Sequence, residues 1–205
     1  MQVCVFPLSN ITLFPKVTKP LHIFETRYLE MIDYAVKSQT PVALAFQDSM
    51  DTPAQIVPGQ KLNHVRSVAG YGNPNILERR DNGTLLILLQ GIGKVNLSYV
   101  KATHTSFIVC EAERVQENLK IEEPVKKSLE VLHRVLVRWS TKNISGALER
   151  DTFIKSLIGP EELIGAFSAY MLKDYDMQQH ILELNDINEK INILYRLTES
   201  NELAP

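Results

Sequence analysis

The sequence predicts an α+β fold: a mixed β-barrel built around one helix, followed by an α-helical bundle. Three observations carry that prediction. Before the stretch Asn118–Pro124, apolar residues fall in short runs separated by Gly, Pro, Asn and Asp, whereas after it they recur at helical spacing. Asp81-Asn82-Gly83 stands between Ile76-Leu77-Glu78-Arg79-Arg80 and Thr84–Leu89, and Asn-Gly suits the positive φ angles of a hairpin turn joining two antiparallel strands. The 205 residues are 44% hydrophobic and 22% charged, the balance of a soluble globular chain able to bury one sizeable core or two small ones. The expected subdomains are 1–118 for the barrel and 119–205 for the bundle.

In chain order, Phe6-Pro7-Leu8-Ser9-Asn10-Ile11-Thr12-Leu13-Phe14-Pro15 reads as a short apolar strand and a proline-punctuated crossing. Each Phe-Pro pair holds its phenylalanine extended, because proline's Cδ disfavours the helical region for the preceding residue. A second extended piece covers Pro20-Leu21-His22-Ile23. Glu25 to Ser38 reads as one helix, with Tyr28, Ile32, Ala35 and Val36 on its apolar face and Arg27, Glu30, Asp33 and Lys37 on another. Val42 to Phe46 is a strand, and Gln47 to Gln60 is a loop marked by Pro53, Pro58 and Gly59. Beyond the hairpin turn, Thr84 to Leu89 is apolar on both faces, as a strand inside a covered barrel would be. Gly91 and Gly93 predict a bend or bulge, followed by strands near Lys94–Val100 and Phe107–Val115.

The second half opens with Glu122-Glu123-Pro124, acid at the positive end of a helix and proline in its first turn. Val125, Leu129, Leu132, Leu136 and Trp139 then follow the 3.6-residue period. Thr141 to Gly146 breaks the pattern, Leu148 to Ile158 resumes it, and Gly159-Pro160 ends one helix and begins the next. Asp176-Met177-Gln178-Gln179 and Asp186-Ile187-Asn188-Glu189 each fit a capping box. Ile187, Ile191 and Leu194 form the stripe of the last helix.

The net charge of -2 gives no electrostatic reason to expect nucleic acid. Cys4 and Cys110 are far apart and lack a Cys-x-x-Cys companion, so buried free thiols are expected rather than a disulfide framework or a zinc site. The first residues have no basic n-region and meet Pro7 too early for a signal segment, and no apolar run nears the roughly 18–20 residues of a membrane span. A reduced, cytoplasmic protein without membrane contact is expected.

Catalytic patterns are sparse. Gly91-Ile92-Gly93-Lys94-Val95 resembles part of a phosphate-binding loop, but Leu88 and Val95 stand where that loop needs glycine and a hydroxyl residue. None of His22, His64, His104, His133 and His180 has a second ligand at metal spacing, and Ser9, Ser38 and Ser67 lack a Gly-x-Ser-x-Gly elbow. His22 and Glu25 admit two readings. They could form an acid–base pair in a cleft, or they could orient the strand-to-helix junction through hydrogen bonds. Lys126, Lys127, Arg134 and Arg138 give the first long helix a basic edge, diluted by Glu122, Glu123 and Glu130.

The order of prolines, aromatics and the charged pair Glu25/Arg27 resembles the opening of the Lon-protease N-terminal domain family. Gly70-Tyr71-Gly72, Asp81-Asn82-Gly83 and Gln90-Gly91-Ile92-Gly93-Lys94 are similar to that family's glycine-marked hairpin and the Gly-x-x-Arg motif that closes it. Gln178 to Lys190 looks like its Gln-x-x-Leu-Glu…Asp-x-x-x-Arg helix pair. The sequence departs from the pattern at Lys16, where glycine is frequent, at Thr26, where proline is frequent, and at Lys94 and Lys190, where arginine is usual. A lysine keeps the charge but loses the planar fork, so the resemblance does not carry a structural Arg–carboxylate clamp over to either place.

The resemblance implies a PUA-like barrel and a module that binds polypeptide substrates or a partner protein, as an adaptor in proteolysis or protein quality control. It implies no catalytic residue, metal or cofactor. Full-length Lon proteases add ATPase and Ser-Lys protease modules after this region; neither is found in the 205 residues, so a stand-alone form is expected. Arg27 and Glu30 are the expected partner-binding residues, with His22 and Glu25 as a possible cleft. The alternatives are an enzyme using that cleft and an RNA-binding PUA-like protein.

Overall fold

Short apolar runs pair into one six-stranded sheet in the computed structural model, which describes residues 1–47 and 56–200. The part of the Gln47–Gln60 loop that holds Pro53 lies outside the described residues. The chain divides into two units, Met1–Val115 and the remainder from Gln116.

The first unit contains β1 (Gln2–Leu8), β2 (Thr18–Ile23), α1 (Thr26–Ser38), β3 (Val42–Phe46), β4 (Val68–Arg79), β5 (Leu85–Val100) and β6 (Ile108–Arg114). Their order is β2-β5-β4-β3-β1-β6, and β6 also pairs back to β5. Strand β1 runs parallel to β3, Cys4 opposite Val42 through Leu8 opposite Phe46, and the crossover between them contains α1. The other pairings are antiparallel. Cys4 and Phe6 join a core with Met31, Ile32 and Ile87, while Val3 and Val5 join a second core with Ala43, Tyr71 and Val95. Burial on both faces explains why β1 reads as an unbroken apolar run rather than an alternating one.

Three expectations need correction here. The buried face of α1 is Tyr28, Met31, Ile32 and Ala35, and Val36 is 45% exposed. Residue 36 lies about 80° round the helix from residue 28, beyond the stripe that faces the sheet. The runs at Thr84–Leu89 and Lys94–Val100 belong to one 16-residue strand. A bulge does occur at the glycines, where the register steps from Tyr71 opposite Gly93 to Gly72 opposite Gly91 and leaves Ile92 exposed, but the strand bends without ending. In the hairpin only Gly83 takes positive φ, at 81°. The Gly83 N–H donates to the Arg80 carbonyl (2.9 Å) and the Arg80 N–H to the Thr84 carbonyl (3.0 Å), a three-residue loop closed by a left-handed glycine.

The crossing after β1 turns at Phe14-Pro15-Lys16-Val17, where the Val17 N–H donates to the Phe14 carbonyl (3.2 Å) and Lys16 has φ 64°. Proline followed by a positive-φ residue is the arrangement of a type II turn, which favours glycine at the second position. Lys16→Gly should therefore raise stability by about 0.5–1 kcal/mol, the relief of the left-handed penalty less the extra unfolded-state entropy of glycine. Urea denaturation checks it, and an unchanged or lowered midpoint would show that Lys16 is not strained. The turn lays the crossing against the sheet at two glycines. A Cβ on Gly70 would lie 1.7 Å from the Leu13 carbonyl oxygen, and one on Gly91 2.1 Å from that of Phe14.

The second unit opens with a 3₁₀ turn (Glu123–Val125) leading into α2 (Lys126–Asn143), then α3 (Ala147–Ser156), α4 (Pro160–Met171), α5 (Tyr175–Glu183) and α6 (Ile187–Glu199). Pro124 lies in the first turn, as read from the sequence. Leu132, Leu136, Phe167, Ile181, Ile191 and Leu194 are fully buried. Helix α3 exists, but no residue of it is buried, and its expected apolar positions Leu148 and Ile158 are exposed. Its Phe153 ring centroid lies 6.0 Å from Trp139 and 5.8 Å from Tyr170. Asp174, not Asp176, caps α5, accepting from the N–H groups of Asp176 and Met177. Asp186 caps α6 as expected. Lys190 Nζ meets Glu117 Oε2 at 2.6 Å with both side chains nearly buried, so a lysine–carboxylate pair forms at this place.

Candidate functional site at the start of the first helix

Strand β2 ends at Ile23, and Phe24 and Glu25 lead from it into α1. Leu21 and Ile23 point into the core, so the pleat turns His22 and Phe24 outward, and Glu25 follows at the helix N-cap position. Phe24 is 67% exposed. His22 Nε2 lies 2.9 Å from Thr84 Oγ1, which ties the β2–α1 junction to the hairpin turn. The Glu25 carboxylate accepts from Arg27 Nε at 3.0 Å, and the Arg27 guanidinium stacks over the Tyr28 ring at 4.5 Å. Farther along α1, Glu30 accepts from the Ser106 hydroxyl and Asp33 pairs with Arg79 at 2.6 Å.

Two adjoining recesses share Leu8, Asn10, Glu25 and Tyr28. One, of about 310 Å³, adds Ile11, Leu21 and Phe24. The other, of about 260 Å³, adds Arg27, His64 and Ser106. His22 and Glu25 border the same recess but bond to different partners, Thr84 and Arg27. Arg27 lines the second recess, and Glu30 reaches it through Ser106. The surface therefore combines an apolar floor, one projecting aromatic ring and charged groups held in place by intramolecular bonds. Such a surface can take up apolar side chains and hydrogen-bond a polypeptide.

Sequence reasoning missed Phe24, His64 and Ser106. The period-2 alternation of Leu21-His22-Ile23-Phe24 could have placed Phe24 outward. Nothing local marks the other two, which the topology brings in from distant segments. His64 is 8% exposed, its Nδ1 has no hydrogen-bond partner among the described residues, and burial pushes its pKa below the usual histidine value. A neutral imidazole in the folded state faces an unfolded state that takes up a proton near about pH 6.5. Stability should therefore fall as the pH drops below that value, because the unfolded chain binds the extra proton. His64→Gln should flatten the decline of the denaturation midpoint between about pH 6.5 and 5. Equal slopes for the two proteins would contradict the assignment.

Among the described residues no group of three or more His, Cys, Asp or Glu could hold a metal ion, and no helix is long and apolar enough to cross a membrane. The Gly91–Lys94 fragment lies within β5, and the Gly91 N–H donates to the Val17 carbonyl at 2.8 Å, so that amide is committed to the fold.

A family model described as the ATP-dependent protease La (LON) substrate-binding domain matches residues 2–200. The Lon protease of Escherichia coli K12 is 22% identical over 208 residues, covering 98% of this chain and 25% of the relative. That of Vibrio parahaemolyticus is 25% identical over 211 residues, with 98% and 25% covered. The chain thus spans about a quarter of the length of these relatives. Two solved structures share the fold. The N-terminal domain of Mycobacterium avium complex Lon protease has a TM-score of 0.71 at 15% identity, over 97% of this chain and 98% of that one. The Lon N-terminal domain protein of Xanthomonas campestris has a TM-score of 0.66 at 14% identity, over 95% and 96%.

Proposed function

We propose a polypeptide-binding role from one premise: the chain belongs to the ATP-dependent protease La (LON) substrate-binding domain family. In this reading the surface at the start of α1 receives apolar segments of substrate polypeptides or of a partner protein. The observation that carries it is Phe24, a large aromatic 67% exposed at the edge of a recess floored by Leu8, Ile11 and Leu21. The chain itself is non-catalytic and acts as an adaptor in proteolysis or quality control. The separate partners of His22 and Glu25 favour a junction-orienting role over an acid–base pair. Residues 1–118 serve as a PUA-like barrel, a reading supported by the pairing of β6 back to β5, and 119–205 as a helical subdomain. A cytoplasmic setting fits the free thiols of Cys4 and Cys110, each pushed up to about 12 by burial.

The test is the affinity of the full chain for a fluorescent, reduced and alkylated polypeptide. Phe24→Ser should weaken binding by roughly tenfold, about 1.4 kcal/mol, which is at the low end of the burial energy of a phenylalanine side chain. The charge swap Arg27→Glu with Glu30→Arg should also weaken it, since Arg27 borders the recess and Glu30 holds Ser106. Unchanged affinity in both variants would remove this face from consideration. A lowered unfolding midpoint would return the residues to a structural role.

A further inference from the structure

Strand β2 is paired along one side only. It lies at the end of the strand order and meets β5 in unbroken register, Thr18 opposite Gln90 through Ile23 opposite Leu85. In an antiparallel ladder alternate residues turn their backbone N–H and C=O toward the neighbour, and the residues between them turn both groups away. Pro20 has no N–H to give to β5, which places it in the outward set with Thr18 and His22. The ladder agrees at its near end, where the Gly91 N–H donates to the Val17 carbonyl at 2.8 Å, so residues 17, 19, 21 and 23 face β5. Among the described residues, no bond outside the β5 ladder reaches the backbone of Thr18, Pro20 or His22. The recess of about 310 Å³ is lined by Leu21, His22 and Ile23 of β2 and by Leu8, Asn10 and Ile11 from β1 and the crossing, and by no residue of β5. It therefore opens on the unpaired side of β2.

We propose that this edge takes one extended segment of a substrate polypeptide as an added strand, so that the chain selects extended stretches and not helices. The inference deepens the polypeptide-binding reading and rests on it. The N–H groups of Thr18 and His22 and the carbonyls of Thr18, Pro20 and His22 bond to the backbone of the segment, which gives affinity without reference to its sequence. Side chains of a strand alternate between its faces, so every second one enters the recess beside Leu21 and Ile23 and packs on Leu8 and Ile11. Two other occupants fit the edge less well. A helix has already bonded its own backbone groups and would leave those of β2 unpaired. A second copy of the chain, pairing its own β2 over the full strand about a two-fold axis, would set Pro20 against Pro20, and two residues without an N–H exchange no bond. A proline-free segment donates to the Pro20 carbonyl instead.

The test uses the full chain and a fluorescent peptide of about nine residues, alternating valine and threonine with lysine at each end, long enough to run past both ends of β2. Single N-methyl groups are placed in turn along the peptide. In one alternating phase they should weaken binding by about tenfold or more, and in the other they should leave it within about twofold, because only one set of amides faces β2. On binding, the His22 amide should exchange more slowly, while that of Leu21, already in the ladder with β5, keeps its rate. His22→Pro, which removes the outward N–H, should bind roughly fivefold more weakly than His22→Ala, which keeps it and likewise loses the bond to Thr84. Binding that ignores N-methylation, or suffers equally in both phases, would overturn strand addition and leave the polypeptide-binding reading standing. So would a peptide that fails to bind where the reduced and alkylated polypeptide binds; failure of both would overturn the two together. A dimer of the protein that His22→Pro breaks, with no peptide bound, would assign the edge to a second copy and overturn the proposal.

Discussion

Gly70→Ala is expected to destabilise the first unit by on the order of 3–4 kcal/mol. The added Cβ would lie 1.7 Å from the Leu13 carbonyl oxygen and 2.7 Å from its carbon, both backbone atoms that no rotamer change can move. Relief requires lifting the crossing segment off the sheet. That segment carries Leu13 and Phe14, both among the fully buried side chains, and it is tied down by the bonds Lys16 N–H to Gly91 carbonyl (2.9 Å) and Gly91 N–H to Val17 carbonyl (2.8 Å). Urea denaturation followed by circular dichroism reads the effect. A loss below about 1 kcal/mol, an ordinary surface-substitution value, would mean that the crossing does not rest on Gly70.

The second large effect is expected at Lys190. Its ammonium is 2.6 Å from the Glu117 carboxylate, and the two side chains are only 5% and 10% exposed. Lys190→Ala would leave that carboxylate nearly buried without the cation, at a cost of about 3 kcal/mol, since removing one partner of a buried pair strands the other in a poorly solvating interior. Lys190→Arg should keep stability within about 1 kcal/mol, because a guanidinium restores the charge and can add a second hydrogen bond. Equal tolerance of alanine and arginine would show that the pair contributes nothing to holding α6.

Much of the fold was legible because local chemistry determines it. The Asn82-Gly83 hairpin, the extended run through Pro7, the Pro124 and Pro160 helix starts and the Ile187/Ile191/Leu194 stripe all appear where their residues place them. The misses share a different cause. Val36, Leu148 and Ile158 are apolar residues at helical spacing that the tertiary structure leaves uncovered, and spacing alone cannot say whether anything covers a face. The cap at Asp174 was overlooked because Asp176, two residues later, offers the same side chain in a better-looking motif.

The candidate site divides along the same line. His22, Phe24, Glu25, Arg27 and Glu30 lie on one continuous segment and were within reach of the sequence. Thr84, Ser106 and Arg79, which bond to His22, Glu30 and Asp33, arrive by strand pairing from elsewhere in the chain. His64 reaches the recess in the same way. No spacing rule reports such contacts, because they belong to the topology.

The polypeptide-binding surface itself is tested most directly by hydrogen–deuterium exchange of the full chain, with and without a saturating reduced and alkylated polypeptide. Covering the two recesses should slow exchange in Leu21–Glu30 and in Ser106–Ile108, the segments that border them. Exchange in both segments that does not change at saturation would contradict the account, even if binding is measured by other means.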